Sequence, residues 1–553
     1  MYLVTVEQMG ELEDASNAAG HSYEDMMEQA GQATAEVVKA RYPVKDLRVL
    51  VLVGPGNNGG DGLVCARYLH EAGASVVLYI WNRDPEGDGN LDQALAKKIY
   101  RTWASEDEEH KRLRHYAQNA DLIVDALLGT GVTRPIEGTL KALLEEVHKI
   151  VRARRQRPCP PLCIPSKPRT SPARKPQILA VDVPSGVNCT TGHADPVTLP
   201  ADLTVTFAFP KVGQFRFPGA GLVGELVVAD IGIDPDLVKD ISLELANPTD
   251  VGTRLPERPS QAHKGSFGKT MIVAGSINYL GAAYLASTAA TRVGSGLVTL
   301  GIANSLLSIL ASKLTEVTYL PLPDEQGALT PEGIKVLQEE LPDYTAVLLG
   351  PGLGQHHRTA QFVRQFLGLG KGNEQRLGFV APRAEADDDV VLPDLVVIDA
   401  DGLNALASTP KWWERLDTQA VLTPHPGEMS RLLDRSIEEI NGDRIATAQE
   451  AADLWGQIVV LKGAYTVIAA PDGRTTVSPF ANPGLASAGT GDVLAGTIVG
   501  LASQGLDPYA AAVSGVYVHG LAGERVRAEL GEAGMVASDL LPQLPQAIDV
   551  LHR

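Results

Sequence analysis

The chain runs to 553 residues, 44% hydrophobic and 21% charged, with a formal net charge of −19. Single cores stop growing near ~250–300 residues, so two to four domains of a soluble globular protein are expected. The acidic balance excludes general nucleic-acid binding, whose main term is phosphate neutralisation by Lys and Arg; a small phosphorylated ligand needs only a local patch.

In chain order, residues 11–41 read as one helix with acidic and apolar positions interleaved, Met26 to Gly31 being its core-facing stretch. A βα alternation starts at Leu47. Strand-like runs are Leu47–Val53, Ser75–Trp81, Asp121–Leu127, Ile178–Val183, Leu203–Phe209 and Glu225–Asp230. Helical patterns cover Gly60–Glu71, Leu91–Trp103 and Gly138–Val151. Continuous Val/Ile/Leu runs separated by helices predict a parallel sheet buried on both faces, with ligands outside the carboxyl ends of its strands. Val151 to Gln177 holds eight Lys/Arg, seven Pro and no acid. It cannot build a core and reads as a surface insertion, or alternatively as a basic patch for an anionic partner.

Pro235 to Pro259 is rich in proline and charge, which predicts a linker over 236–259 between domains at 1–235 and 260–553. A second α/β pattern begins at Gly268. Its strands are Thr270–Ala274, Leu297–Ile302, Ala346–Leu349, Leu395–Ile398, Ala420–Leu422, Ile458–Leu461 and Thr466–Ala470. The acidic segment Glu385 to Asp389 reads as a solvated loop, and the last large helices are Asp492–Gln504 and Pro508–Glu524. No repeat relates the halves. Four cysteines (Cys65, Cys159, Cys163, Cys189) are too few for a disulfide scaffold, and no Cys/His pair matches Cys159 and Cys163 as a zinc site. With neither a signal-peptide pattern nor an apolar run of ~18 residues, the cytoplasm is the expected compartment.

Two glycine-rich loops carry the chemistry. The first, Gly54-Pro55-Gly56-Asn57-Asn58-Gly59-Gly60-Asp61-Gly62, follows the first strand; the second, Gly489-Thr490-Gly491-Asp492, precedes the small-residue run Val493 to Leu501. Helix N-terminal N–H groups hold phosphate at such junctions, and glycine lets the ligand approach the main chain. Neither loop has the Lys-Ser/Thr pair of a P-loop. Two nucleotide-handling units are expected.

In the first unit, two further loops carry polar residues: Asp125 to Gly131 and Asp182-Val183-Pro184-Ser185-Gly186. Asn58, Asp125 and Ser185 offer oxygens and no Cys or His, a set that suits a hard cation and not zinc. Asp125 has a capping role as its bland reading; for Asp182 that reading is weaker, since an acid ending a buried strand costs desolvation without a partner. Gly54 to Gly59 also fit Gly-x-Gly-x-x-Gly, although the ribose-binding acid would have to be Asp84, a loose fit. In the second unit, an anion hole beside Asp492 could accept a hydroxyl proton while backbone N–H groups stabilise a transferring phosphoryl group. Its companions are Gly350 to Gly354, Asp399 to Asn404, Thr423 to Glu428 and Lys462 to Thr466. Lys462 meets a nucleotide phosphate or is an exposed strand end, His425 contacts substrate or is structural, and Asp401 with Asn404 binds ligand or caps a helix.

With these motifs assembled, the chain resembles the bifunctional NAD(P)H-hydrate repair enzymes, which join an NAD(P)HX epimerase to an ADP-dependent NAD(P)HX dehydratase. The resemblance covers nearly the whole length. It rests on the three loops of the first half, and in the second on His263-Lys264-Gly265 with Gly268, Tyr279-Leu280-Gly281-Ala282, the Gly350, His425 and Lys462 motifs, and Asn482-Pro483-Gly484 leading into Gly489 to Asp492. It implies a Rossmann-like doubly wound α/β domain followed by a ribokinase-like α/β domain. Epimerase substrate is implied at Asn57, Asn58, Gly59, Gly60 and Asp61, at Gly129, Thr130, Gly131, Val132, Thr133, Arg134 and Pro135, and at Asp182. Potassium is implied at Asn58, Asp125 and Ser185. Dehydratase substrate is implied at Ala282, Gly352, Gly354, His425 and Asp492, and the nucleotide at Lys462, Gly463, Ala464, Tyr465, Thr466 and Gly491. The insertion at 151–177 departs from the family pattern but removes no motif residue.

The resemblance further implies NADHX and NADPHX as substrates, ADP with magnesium as co-substrate, Asp182 and Asp492 as the catalytic acids, and no membrane or nucleic-acid partner. A homo-oligomer is expected. The alternative is a ribokinase-like small-molecule kinase fused to a non-catalytic dinucleotide-binding module.

Overall fold

The computed structural model describes residues 1–155, 176–238, 241–370 and 391–553. The basic insertion, with Cys159 and Cys163, and the acidic segment Glu385 to Asp389 lie outside the described residues, apart from the insertion's first and last few positions. The chain divides into two compact units, Tyr2–Ile241 and Ser242–Arg553.

The first unit opens with two helices where the sequence suggests one: α1 (Val6–Ala18) and α2 (Tyr23–Arg41). Thr5 starts α1 with a reciprocal capping box, Gly20 turns the chain at φ +102°, and Ser22 caps α2. There follow β1 (Arg48–Val53), α3 (Asn57–Glu71), β2 (Ser75–Ile80), α4 (Gly89–Ala96), β3 (Tyr100–Trp103), α5 (Lys111–Asn119), β4 (Leu122–Ala126), α6 (Gly138–Arg155), β5 (Gln177–Val181), β6 (Leu203–Phe207) and β7 (Glu225–Ala229). The expected helix Leu91–Trp103 is thus corrected to a short helix and an edge strand. Lys98 breaks it at φ +62°, and Tyr100, Thr102 and Trp103 suit a half-exposed edge.

All seven strands are parallel, in the order β3-β2-β1-β4-β5-β6-β7. The strand period of two splits their side chains between two cores. Val49, Val51 and Val53 face the α2–α4 side, while Leu50 and Leu52 face the α5–α6 side. The order reverses between β1 and β4, and the crevice at that switch point is where a doubly wound sheet takes its ligand.

In the second unit, the stretch expected as a linker instead holds β8 (Leu243–Leu245) and α7 (Pro248–Arg254). Asn247 caps α7 with Pro248 in its first turn, so proline and charge mark a helix start here. Next come β9 (Lys269–Val273), α8 (Leu280–Arg292), β10 (Leu297–Ala303), α9 (Leu307–Ala311), β11 (Thr318–Leu322), the small hairpin β12 (Asp324–Glu325) and β13 (Ala328–Leu329), α10 (Gly333–Glu340), β14 (Ala346–Leu349) and α11 (His357–Phe366). The unit continues with β15 (Leu395–Ile398), α12 (Asp401–Ala407), β16 (Gln419–Leu422), α13 (Pro426–Leu433), α14 (Ile437–Gly442), α15 (Arg444–Trp455), β17 (Ile458–Leu461), β18 (Val467–Ala469), β19 (Thr475–Val477), α16 (Thr490–Ala502), α17 (Pro508–Leu530), α18 (Ala537–Leu540) and α19 (Gln543–Leu551).

The main sheet has the order β11-β10-β9-β14-β15-β16-β17-β18-β19-β8, parallel through β17, with β17, β18 and β19 antiparallel. Small residues fix α16 against α8: a Cβ at Gly496 would lie 2.3 Å from the Ala286 carbonyl, and one at Gly500 2.8 Å from Ala290 Cα. That near-backbone contact sets where the α16 N-terminus, with Asp492, emerges. No helix among the described residues is long and apolar enough to cross a membrane.

Candidate active sites

At the first unit's switch point, the glycine loop lets α3 start directly on the sheet. A Cβ at Gly54 would lie 1.7 Å from the Leu127 carbonyl, and one at Gly62 2.4 Å from Ala126 Cβ. Asn57 is exposed, whereas Asn58, Gly59, Gly60 and Asp61 are buried. Arg83, not foreseen from sequence, braces the loop by donating from one nitrogen to the Gly54 and Gly56 carbonyls, both at 3.0 Å, and pairs with Asp88. Asp84 is spent on its own turn, accepting from Glu86 N at 3.0 Å.

Asn58, Asp125 and Ser185 converge. Asp125 is fully buried, and its carboxylate accepts from Ser185 Oγ at 2.6 Å, Ser185 N at 2.9 Å and Leu127 N at 3.3 Å. Burial pushes this carboxyl above its usual range, and those hydrogen bonds work against the shift. Asn58 Nδ2 donates to the Leu128 carbonyl at 3.0 Å, while its Oδ1 is buried with no hydrogen-bond partner. The loop Gly129–Pro135 borders this point: a Cβ at Gly129 would meet Asn58 Cβ at 3.2 Å. Asn188 Nδ2 holds the Val132 carbonyl at 2.9 Å, and Gly131, Thr133, Arg134 and Pro135 are exposed.

Asp182 sits just past β5 in the left-handed region, φ +61°, a conformation costly for a residue with a Cβ. Its amide donates to the Val205 carbonyl at 2.7 Å, and its carbonyl accepts from Gln214 Nε2 at 2.9 Å. Its Oδ1 accepts from the buried Lys211 Nζ at 2.7 Å and Thr206 Oγ1 at 2.8 Å. Oδ2 makes no hydrogen bond among the described residues. Lys211 and Thr206 escaped the sequence reading; the usable signal was a lone lysine inside Phe207 to Phe215, an otherwise uncharged run. The Asp61 carboxyl is raised well above its usual range, by burial and then by Asp182 and Glu13, with Lys211 and Arg83 opposing. Glu13 of α1 is likewise raised by burial, against Lys211.

In the second unit, Gly489 (φ +91°) turns the chain into α16, whose first-turn amides and Asp492 face the end of the sheet. His519, buried and pushed down to about 4 by burial, steadies that turn at 3.0 Å from the Thr490 carbonyl. Lys462 Nζ lies 2.6 Å from Asp399 Oδ1 and 3.7 Å from Glu428 Oε2, and a Cβ on Gly491 would be 3.5 Å from it. Burial works against the Lys462 ammonium, but Asp399 and Glu428 outweigh it and hold its pKa above the usual value. Asp492 is pushed up to about 7 by burial, then by Asp399, Asp401 and Glu428, with Lys462 alone opposing.

His425 and Glu428 form a reciprocal cap on α13: His425 Nδ1 accepts from Gly427 N at 3.0 Å and Glu428 N at 3.2 Å, and Glu428 accepts from His425 N at 2.8 Å. Burial, with Lys462 and Arg431, lowers the imidazole's pKa, against Glu428. The accepting Nδ1 leaves the proton of the neutral ring on Nε2. His425 is therefore structural at Nδ1, and its Nε2 lies 3.5 Å from Glu428 Oε1. Asp401 accepts from Gly354 N at 2.8 Å and from Asn404 Nδ2 at 3.1 Å, so it holds the Gly350–Gly354 loop in place. Gly352 (φ +61°) leaves no room for a side chain, since a Cβ would lie 2.7 Å from Tyr279 and 2.8 Å from Ala282. His263 to Gly268 lies at the opposite edge, before β9, and packs the fold: a Cβ at Gly268 would be 1.7 Å from the Ser503 carbonyl.

Two α/β units, each with a carboxylate beside a glycine-turned helix N-terminus at the carboxyl edge of a parallel sheet, define a two-domain nucleotide-handling enzyme. Residues 23–213 match the family described as YjeF-related protein N-terminus, and residues 270–546 match NAD(P)H-hydrate dehydratase. The chain is 37% identical over 558 residues to the bifunctional NAD(P)H-hydrate repair enzyme Nnr of Moorella thermoacetica, covering 99% of this chain and 97% of that one. It is 34% identical over 543 residues to the corresponding enzyme of Thermofilum pendens, covering 98% and 94%. A solved ADP/ATP-dependent NAD(P)H-hydrate dehydratase from Bacillus subtilis is similar at 31% identity, with 56% of this chain and 98% of that chain covered and a TM-score of 0.46. The chain belongs to the family of bifunctional NAD(P)H-hydrate repair enzymes, with an epimerase domain followed by a dehydratase domain.

Proposed function

We propose that Asp182 drives epimerisation of (R)- and (S)-NAD(P)HX in the first unit, and that Asp492 drives ADP-dependent dehydration of (S)-NAD(P)HX in the second. The observation that carries the reading is Asp492 poised at about 7, beside Lys462 and the α16 amides. A general base works best with a pKa near the working pH. The hydrate carries a hydroxyl on the ring carbon next to nitrogen, a carbinolamine. Asp492 takes the hydroxyl proton as that oxygen bonds to the β-phosphorus of ADP and the bond to the AMP oxygen breaks. The phosphate then leaves with the C–O bond pair, the ring nitrogen lone pair fills in, and loss of a proton from the neighbouring carbon restores the dihydropyridine. Lys462 and the α16 amides meet the charge on the transferring phosphoryl group, and the half-exposed His425, whose Nε2 lies 3.5 Å from Glu428 Oε1, would contact the hydrate.

In the first unit, Lys211 and Thr206 occupy one oxygen of Asp182, so the other is free to take and return the hydroxyl proton while the ring opens or passes through an iminium. Asn57 to Asp61 and Gly129 to Pro135 would bind substrate at the crevice. Potassium fits the trio: the buried, unpartnered Asn58 Oδ1, the fully buried Asp125 carboxylate and Ser185 would be its oxygen ligands. It would supply charge neutralisation and loop order. Magnesium fits as an ion brought with the nucleotide, whose phosphate oxygens are ligands for it. Asp399 and Glu428 are the carboxylates that would hold it, and it would neutralise phosphate charge. The cytoplasm suits the two described cysteines, both free thiols, Cys65 and Cys189.

Chromatography of the protein with mixed hydrate epimers, with and without ADP, tests the reading. Both epimers should disappear with ADP, yielding NAD(P)H, AMP and phosphate; a phosphorylated product that accumulates would instead support the kinase alternative.

A further inference from the structure

Arg444 opens α15, and two physical costs attend it there. It is half-buried, its buried Nε has no hydrogen-bond partner, and no carboxylate pairs with it among the described residues. Burial alone pushes its pKa down to about 10. It also occupies the first turn of a helix, where the macrodipole repels a cation. An unpaired, half-buried charge at a positive helix end is unfavourable unless something outside the chain compensates it.

Its contacts show where that compensation would come from. Arg444 Nη2 donates to the Leu461 carbonyl at 2.9 Å and the Lys462 carbonyl at 3.0 Å, and Nη1 reaches Asn441 Oδ1 at 3.4 Å. The guanidinium lies against Gly463, where a Cβ would come within 2.9 Å of Nη2. Gly463, at φ +147°, is required there by its own backbone. The arginine holds the carbonyls of the last β17 residue and the first loop residue, and Thr466 Oγ1 closes the loop on Gly463, donating to its carbonyl at 2.8 Å.

We infer that Arg444 is a positioning residue for the adenine nucleotide: it shapes the Lys462–Thr466 loop from behind and supplies a positive charge that the nucleotide's phosphates compensate. This rests on the reading of that loop as the nucleotide site. It makes Arg444 a determinant of nucleotide affinity that lowers the stability of the empty protein.

The test is steady-state dehydration by the full chain with ADP varied at saturating hydrate, alongside thermal melts of the empty protein. Arg444→Met should raise the KM for ADP by about tenfold or more with kcat within about threefold, and the empty variant should melt no lower than wild type. Arg444→Lys, which keeps charge but not the fork, should recover part of the KM. A KM within about twofold of wild type for Arg444→Met overturns the inference. So does a variant that melts lower and loses kcat with KM unchanged, the pattern of a purely structural residue. Should Arg444→Met fail to fold, Arg444→Gln against Arg444→Lys decides by the same KM comparison. Wild-type protein that forms no AMP from ADP would instead refute the nucleotide reading itself.

Discussion

Both units place an acid at the carboxyl edge of a parallel sheet, yet they treat that acid in opposite ways. Asp182 has a lysine of its own, Lys211 at 2.7 Å, plus a threonine, and a strained backbone that aims it. Asp492 stands among Asp399, Asp401 and Glu428, of which only Asp399 and Glu428 share Lys462, and burial first, then these carboxylates, raises its proton affinity to about 7. A dedicated cation fixes one oxygen and leaves the other to work; a crowd of carboxylates leaves the whole group eager for a proton. The first arrangement suits a proton that must leave and return, the second a base that must take a hydroxyl proton as phosphorus arrives. The same residue type in the same architectural position is tuned by its neighbours.

Exchanging the acids for amides is the sharpest way to break that comparison. Asp492→Asn should lower ADP-dependent dehydration by about 10² or more and leave epimerisation intact. Asp182→Asn should do the reverse: with ADP and mixed hydrates, one epimer should be consumed and the other persist beyond its slow spontaneous exchange. Loss of both activities in both variants would mean that the acids do not serve separate sites.

Lys211→Met attacks the dedicated partner. It leaves a carboxylate at the rim of the core without its cation, a change that costs about 3–5 kcal/mol where a pair is buried. Denaturant melts should show a loss toward that range, and epimerisation should fall about tenfold or more as Asp182 loses its orientation. Unchanged epimer exchange would show that the ion pair is not what aims Asp182. Asp125→Ala should have a smaller effect, weakening epimerisation several-fold and abolishing any stimulation by potassium. Equal stimulation of wild type and variant would place the ion elsewhere.

What could be read from sequence follows the same division. Asp125, Asp182 and the glycine loops stand out because polar residues interrupt apolar strand ends, where burial makes them costly. The partners that tune the acids do not stand out. Lys211 and Arg444 lie outside the glycine motifs, one in an extended stretch after β6 and the other at what looks like a solvated helix start. Their importance arises only when folding buries them. The stretch 236–259 misleads for a related reason: proline and charge mark both linkers and capped helix starts, and a strand of three residues such as Leu243–Leu245 is too short to show its period. Tyr100–Trp103 hides similarly, as an edge strand that need not be apolar throughout.

The smallest effect expected is the most diagnostic of how Asp492 is tuned. Its folded pKa, about 7, lies above the ordinary aspartate value of 3.8, so the folded state binds this proton more tightly than the unfolded state does. Stability therefore falls as pH rises between those two values, and above about 7 the folded protein carries the burial cost of an ionised Asp492 together with the repulsion of Asp399, Asp401 and Glu428. Asparagine resembles the protonated acid and escapes that repulsion. The empty Asp492→Asn variant should accordingly melt a few degrees above wild type at pH 8, about the shift expected of a modest gain in a unit of this size, with the difference closing near pH 4. Dehydration by wild type should run the other way, falling about tenfold per unit as pH drops below about 7 and the base becomes protonated. A melting difference that is constant with pH would mean that the carboxylate cluster does not hold the Asp492 proton, and that the base owes its strength to the bound nucleotide instead.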